Sequence, residues 1–371
     1  MNLDEQLKTE LNKRKEDNLF RELKNVTNLV DFCSNDYLGL ARSDELFRRI
    51  TQRHEDFDRR NGATGSRLLS GNSPFVEEVE SKLASLFKSE AALILNSGYT
   101  ANLAIFSALA HRSDTILYDE LSHASIKDGS RLSLAKKFSF RHNDLDDLEM
   151  KLKKASGNIY VAVESIYSMD GDECPLSDII QLATKYGAFV VLDEAHSTGI
   201  RGPNGSGIAT SLLSVSEIPV RLYTFGKGMG VHGACVAGSK SLIDYLINFA
   251  RPFIYTTAMA PHSIAAIDSA FDYLKENIYL QSVLAKNINT FLEGMGQLPN
   301  RTPSTSAIQT LIVPGNQNVR EAALTLQKQG FDVRPIVSPT VSAGTERLRI
   351  CIHTYNSSDE IGKLTAELRK L

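Results

Sequence analysis

From about residue 75 the chain alternates short, nearly unbroken apolar runs with helical patterns. No other feature constrains its fold so strongly. The runs are Ala92–Leu95, Thr115–Tyr118, Tyr160–Val163, Phe189–Leu192, Leu222–Phe225 and Ala234–Ala237. Strands that are apolar at every position, with helices between them, belong in a mainly parallel sheet covered on both faces. The fold class expected is therefore α/β, with a central sheet flanked by helices. Ligands of such open sheets sit at the carboxyl ends of the strands. Asn96-Ser97-Gly98, Asp119, Glu164, Asp193 and Thr224 all stand at such ends, so they are expected to share one site.

The pattern changes after residue 260. A helical stretch, Ser263 to Gly294, precedes a strand at Leu311–Val313 and a helix over Val319–Gln329. Two strands follow, Phe331–Val333 and Leu348–Ile352, and then a terminal helix from Ser358. This order predicts a smaller C-terminal α+β domain. Residues 1–42 read as an N-terminal arm with a mixed-charge helix over 3–24, residues 43–260 as the large domain and 261–371 as the small one.

Charge and cysteine usage narrow the function. The formal net charge is −3 and no basic tract stands out, so nucleic acid is not an expected partner. No apolar run approaches the roughly 18 to 20 residues that span a membrane. Cys33, Cys174, Cys235 and Cys351 match no metal-ligand spacing, and no metal is expected. Unpaired, scattered thiols and an N-terminus without an apolar core point to a cytoplasmic protein.

The chemistry gathers around LYTFGKGMGVHGACVAG, residues 222–238, where Lys227 lies between glycines just after a strand. A lysine in such a turn is ordinarily a solvated surface residue. Here LDEAH, residues 192–196, lies about one βαβ repeat upstream and supplies Asp193 at a strand end and His196 three residues on. That combination suits pyridoxal phosphate (PLP). The lysine would hold it as a Schiff base, and the aspartate would keep the pyridine nitrogen protonated. His123, in LSHASIKDG, either lies against the cofactor ring or merely starts a helix. Ser97-Gly98-Tyr99 opens a helix after a strand, which suits a phosphate. Arg349, in ERLRI, projects from a strand and could clamp a carboxylate; Arg347 shares its side. LDEAH also matches the Mg-binding element of helicase ATPases. The phosphate loop such motors need is missing: the nearest match, GACVAGSKS, has Ser239 where the lysine belongs and lies downstream.

Taken in order, SNDYLGL, GSRLLSGN, NSGYTAN, LSHASI, IYSMDGD, LDEAHSTG, TFGKGMG, FARPFIYTTAMAP and SPTVSAGTERLRI resemble the α-oxoamine synthases, a family of fold-type I PLP enzymes. The resemblance runs from Ser34 to the end of the chain. It implies a PLP-dependent acyltransferase that condenses a small amino acid with an acyl thioester and releases carbon dioxide. FARPFIYTT, SAIQTLIV and SPTVSAGTERLRI are most like the branch that joins L-alanine to pimeloyl-CoA or a pimeloyl carrier protein in biotin biosynthesis. The alternative branch uses glycine and acetyl-CoA. The resemblance implies catalytic roles for Lys227, His123, Asp193 and His196. It implies cofactor contacts from Ser97, Gly98, Tyr99, Ser168 and Thr224. Thr256 and Thr257 would reach the phosphate in a neighbouring subunit, hence a homodimer with shared sites. Asn35 and Arg349 would hold the substrate carboxylate, and Arg21 the acyl carboxylate. Three departures stand out: a short segment before SNDYLGL, Glu194 where many members have aspartate, and Met229 between the glycines after the lysine.

Overall fold

The computed structural model describes residues 2–23, 28–212 and 215–371. Its strands are β1 (Val30–Asp31), β2 (Ala91–Leu95), β3 (Thr115–Asp119), β4 (Lys136–Phe140), β5 (Ile159–Glu164), β6 (Phe189–Asp193), β7 (Val220–Thr224), β8 (Ala234–Gly238), β9 (Ile308–Ile312), β10 (Phe331–Asp332), β11 (Arg334–Ile336) and β12 (Arg347–Cys351). Seven of them build one sheet in the order β2-β8-β7-β6-β5-β3-β4. From β4 to β7 the pairings are parallel, while β8 is antiparallel to both β7 and β2. Apolar side chains alternate between two cores across this sheet. On β6, Val190 and Leu192 pack with Leu148, Ile179 and Ile180 on one face. Val191 packs with Ile105, Phe106 and Leu246 on the other. Burial on both faces is what the continuous apolar runs require, and the expected α/β class is what the chain adopts.

β4, with the sequence KKFSF, forms an edge that the apolar pattern did not reveal. Only Phe140 of its residues is buried. Charged, exposed residues suit an edge strand, where they discourage pairing with another chain.

The C-terminal region adds a small antiparallel sheet, β11-β12-β9. Three expectations are corrected here. The helix over 3–24 runs only over Leu3–Glu16, and its leucines stay in solvent: Leu3 is 71% and Leu7 50% exposed. The last residue of that expected helix, Lys24, lies outside the described residues. The helical stretch 263–294 is two helices, Pro261–Glu276 and Tyr279–Met295, broken where Asn277 N–H turns back to Tyr273 and Leu274 carbonyls. Phe331–Asp332 does not join the small sheet; it pairs in parallel with β1, and Arg334–Ile336 takes the place beside β12. The β1–β10 pairing anchors the segment before SNDYLGL against the C-terminal region. Cys351 N–H then donates to Phe32 C=O (2.8 Å).

His142, just past β4, closes the loop after β5 onto the sheet. Its Nδ1 donates to Asp119 at the end of β3 (2.9 Å) and its Nε2 to Asp172 (2.7 Å). Burial alone would lower its pKa, but the two carboxylates prevail and push it up to about 10. Asp119 is thereby committed to this clasp and does not line the Lys227 cavity described below.

Since the folded pKa lies above the unfolded value, the clasp contributes its full stability below about pH 6.5 and loses it as pH rises toward 10. A His142→Gln variant should be less stable than the parent by about 3 kcal/mol at pH 6. Denaturant unfolding should find that gap narrowing between pH 7 and 10. A gap that stays constant with pH would contradict the charged clasp.

Candidate active site

Lys227 leaves β7 in a turn fixed by its glycines. Gly230 N–H donates to Lys227 C=O (2.9 Å), and Gly230 has φ of 65°. A Cβ on Gly230 would stand 2.3 Å from Ala41 N, so this turn and SNDYLGL pack backbone to backbone. The turn therefore fixes where the lysine side chain leaves the backbone, and its Nζ is held at His196. Burial lowers the pKa of Lys227, against the charges of Asp193 and Glu164, which raise it.

A cavity of about 260 Å³ opens at the carboxyl ends of the central strands. Lys227 lines it together with Asn35, Ser97, Gly98, Tyr99, His123, Asp193 and Thr224. Of the expected strand-end residues, all but Asp119 and Asn96 meet here. His196 stands directly behind, with its Nε2 2.8 Å from Lys227 Nζ. Burial, then the charges of Lys227, Arg349 and His123, hold His196 well below the usual imidazole range, so it is neutral.

Asp193 sits at the end of β6 with both oxygens engaged. Oδ1 accepts from Ala195 N–H (2.9 Å), and Oδ2 accepts from the Asn102 amide (2.8 Å). Asn102 lies one turn into the helix Gly98–Leu109 and also donates to Ser125 Oγ (2.9 Å). Ser125 N–H points at His123 Nδ1 (3.2 Å), so that nitrogen is an acceptor and the ring proton is on Nε2. Ser125 Oγ–H then donates to the same Nδ1 (2.7 Å). His123 caps the helix Ala124–Leu132, so both of its sequence readings hold together: it starts a helix and faces the cavity. Burial lowers its pKa, and the Lys227 charge lowers it further. Glu164, at the end of β5, is pushed up to about 8 by burial and the charge of Asp193.

Ser97 caps the helix Gly98–Leu109 by accepting from Thr100 N–H. Gly98, Tyr99 and Thr224 line the cavity at that terminus. Gly98 is required there, because a Cβ would meet Thr224 Cγ2 at 2.4 Å. Across the cavity, Arg349 on β12 donates Nη2–H to Asn35 Oδ1 (3.0 Å) and Nε–H to Ser168 C=O (2.7 Å). Arg347, on the same side of β12, is instead tied to Asp170.

Several candidates lie elsewhere. Ser168 is buried, is not among the residues lining the cavity, and accepts from Arg349 Nε–H through its carbonyl. Thr256 lines a separate pocket beside Arg67 and Gly71, and Thr257 C=O accepts from Asn96. Arg21 lines a groove with Arg14, Arg320 and Arg334, apart from the Lys227 cavity. Among the described residues, no cluster could hold a metal and no helix is long and apolar enough to cross a membrane.

The model of the family "Aminotransferase class I and II" matches residues 27–364. An 8-amino-7-oxononanoate synthase of Emericella nidulans is 36% identical over 95% of this chain and 92% of its own length. That of Alkalilimnicola ehrlichii is 36% identical over 92% and 87%. The chain belongs to the class I and II aminotransferases, among the α-oxoamine synthases. Solved structures agree. A serine palmitoyltransferase from S. paucimobilis with a bound PLP–myriocin aldimine superposes with a TM-score of 0.89 at 26% identity, covering 100% of this chain and 98% of that one. An 8-amino-7-oxononanoate synthase from Francisella tularensis gives 0.79 at 26%, covering 92% and 97%. As an α-oxoamine synthase, the chain is a PLP-dependent transferase.

The cavity fits that cofactor by its chemistry. It offers one aimed amine of lowered pKa, one carboxylate already held by two donors, a neutral imidazole and a helix N-terminus for a phosphate. Asn102 was not read from the sequence, although its position four residues after Gly98 puts both on one helix face. Removing its amide should loosen the Asp193 carboxylate. Asn102→Ala should weaken cofactor retention by about 10- to 100-fold in spectroscopic titration. Unchanged affinity would remove Asn102 from the set.

Proposed function

We propose that this α-oxoamine synthase condenses L-alanine with a pimeloyl thioester, on CoA or a carrier protein, to give 8-amino-7-oxononanoate, carbon dioxide and free thiol in biotin biosynthesis. The observation that carries this reading is the 36% identity to the Emericella nidulans 8-amino-7-oxononanoate synthase across 95% of this chain. The residues gathered around the Lys227 cavity support it.

Lys227 would hold the cofactor through Nζ, Asp193 would face its pyridine nitrogen, and His123 would cover its ring. Ser97, Gly98, Tyr99 and Thr224 would take the phosphate, while His196 and Ser168 would border the phenolic oxygen. When bound, PLP supplies an electron sink conjugated to the amino acid's nitrogen. Asp193 keeps that sink strong by favouring a protonated ring nitrogen, and Asn102 and Ala195 N–H keep its carboxylate oriented. Arg349 and Asn35 hold the amino acid's carboxylate. Lys227 Nζ, with its pKa lowered by burial, takes the proton from the amino acid's α-carbon and later returns one. Loss of carbon dioxide and departure of the thiol complete the condensation.

Thr256 and Thr257 lie outside this cavity, so their expected phosphate contact needs a second copy, and a homodimer is part of the proposal. So is a division into an arm (1–42), a large domain (43–260) and a small domain (261–371). The seven-stranded sheet lies within the second span and the β11-β12-β9 sheet within the third. Cys33, Cys174, Cys235 and Cys351 are all unpaired, which fits a cytoplasmic location.

Purified, PLP-loaded protein should release thiol faster with L-alanine and pimeloyl-CoA than with glycine and acetyl-CoA, and should form the expected amino ketone. Faster release with the second pair would overturn the substrate assignment. Lys227→Ala should abolish turnover and the covalently held cofactor; retention of a tenth of the rate would refute its role. In Asp193→Asn, exchange of the alanine α-proton should fall by at least about 100-fold, and unchanged exchange by NMR would contradict its assignment.

A further inference from the structure

Tyr37 lies in SNDYLGL, is fully buried and has no role in the scheme above. Its hydroxyl is 3.0 Å from Asn35 Oδ1 and 2.8 Å from His196 Nδ1. Both contacts cannot draw on the same proton. The identity of the Asn35 oxygen is fixed from the far side, because Arg349 Nη2, which can only donate, stands 3.0 Å from it. An amide NH₂ in that position would face the guanidinium donor to donor. Tyr37 Oη–H therefore donates to Asn35 Oδ1, and the Oη lone pair accepts a proton from His196 Nδ1. Burial raises the Tyr37 phenol far above its ordinary value, so it keeps that proton.

His196 thus carries its proton on Nδ1, and the bare Nε2 faces Lys227 Nζ at 2.8 Å. We propose that Tyr37 is a positioning residue that fixes His196 in the Nδ1–H tautomer, so that Nε2 accepts a hydrogen from Lys227 and leaves the lysine's lone pair free to react. In the opposite tautomer an Nε2–H would point at Nζ. It would either occupy the lone pair of the neutral amine or stand donor to donor against the ammonium. The relay Arg349–Asn35–Tyr37–His196–Lys227 also links the arginine proposed to hold the substrate carboxylate to the reactive amine. This inference rests on the reading of Lys227 as the reactive amine. The charged or titratable groups facing the pair are Arg349, His123, Asp193 and Glu164.

The variant that tests this is Tyr37→Phe, which keeps the ring that lies over His353 (6.5 Å between centroids) and removes only the hydroxyl. Full-length, cofactor-free protein with ¹⁵N-labelled histidine is read by NMR, His196 being assigned by loss of its signals in His196→Gln. The parent should show Nδ1 protonated and Nε2 bare, and Tyr37→Phe should shift protonation toward Nε2. The rate at which Lys227 reacts with added pyridoxal phosphate should fall by about tenfold in Tyr37→Phe. In the loaded enzyme kcat should drop by a similar factor, with KM for the amino acid little changed. A parent His196 protonated at Nε2, or a tautomer unaffected by Tyr37→Phe, overturns the proposal. The NMR and PLP-reaction measurements use no acyl donor or amino acid, so an error in the assigned substrate pair would leave them standing. Loss of Lys227 as the reactive amine would instead appear in Lys227→Ala.

Discussion

A lysine amine held at the carboxyl ends of a sheet, with no carboxylate among the described residues bonded to it, is the constraint around which this molecule is arranged. Its near neighbour is a neutral imidazole, while Asp193 and Glu164 act on it through space. Burial disfavours its charge and the two carboxylates favour it. The balance leaves an amine easier to deprotonate than a surface lysine yet still held in a defined direction. The glycine turn from Lys227 to Gly230 is part of that restraint: its contact with Ala41 lets the backbone approach where a side chain would obstruct it.

The two buried acids are treated differently. Asp193 has a donor on each oxygen, whereas Glu164 receives one backbone N–H, from His123, in a site where burial and Asp193 already disfavour its charge. Asp193 is thus the carboxylate fixed by donors, and Glu164, pushed up to about 8, is the one inclined to carry a proton near neutral pH. The division keeps the cavity from accumulating negative charge beside the helix terminus that would receive a phosphate.

Much of this was legible in the sequence because the central strands are apolar on both faces and end in polar residues. Ser97, Gly98, Glu164, Asp193 and Thr224 could be brought together by that rule, and they do line one cavity with Lys227. It failed for Asp119, which has the same strand-end position but is drawn away by His142, a histidine after a strand too polar to recognise. Asn102 and Tyr37 escaped notice for another reason. Each acts through a neighbour, and the direction of a hydrogen bond has no periodicity. Short strands such as β1 and β10 are likewise invisible locally, since each exists only because the other is beside it.

That pairing bears on how the protein comes into being. Val30 pairs with Phe331, Asn35 meets Arg349, and Thr354 N–H donates to Tyr37 C=O (2.9 Å). During synthesis the Asn35–Arg349 side of the cavity must wait for β12, although Asn35 emerges early. The amine and its carboxylate, Lys227 and Asp193, belong to strands that can pair well before then. Contact distance along the chain therefore orders what can assemble: the Lys227–Asp193 corner can form from nearby strands, and the Asn35–Arg349 contact only once β12 is made.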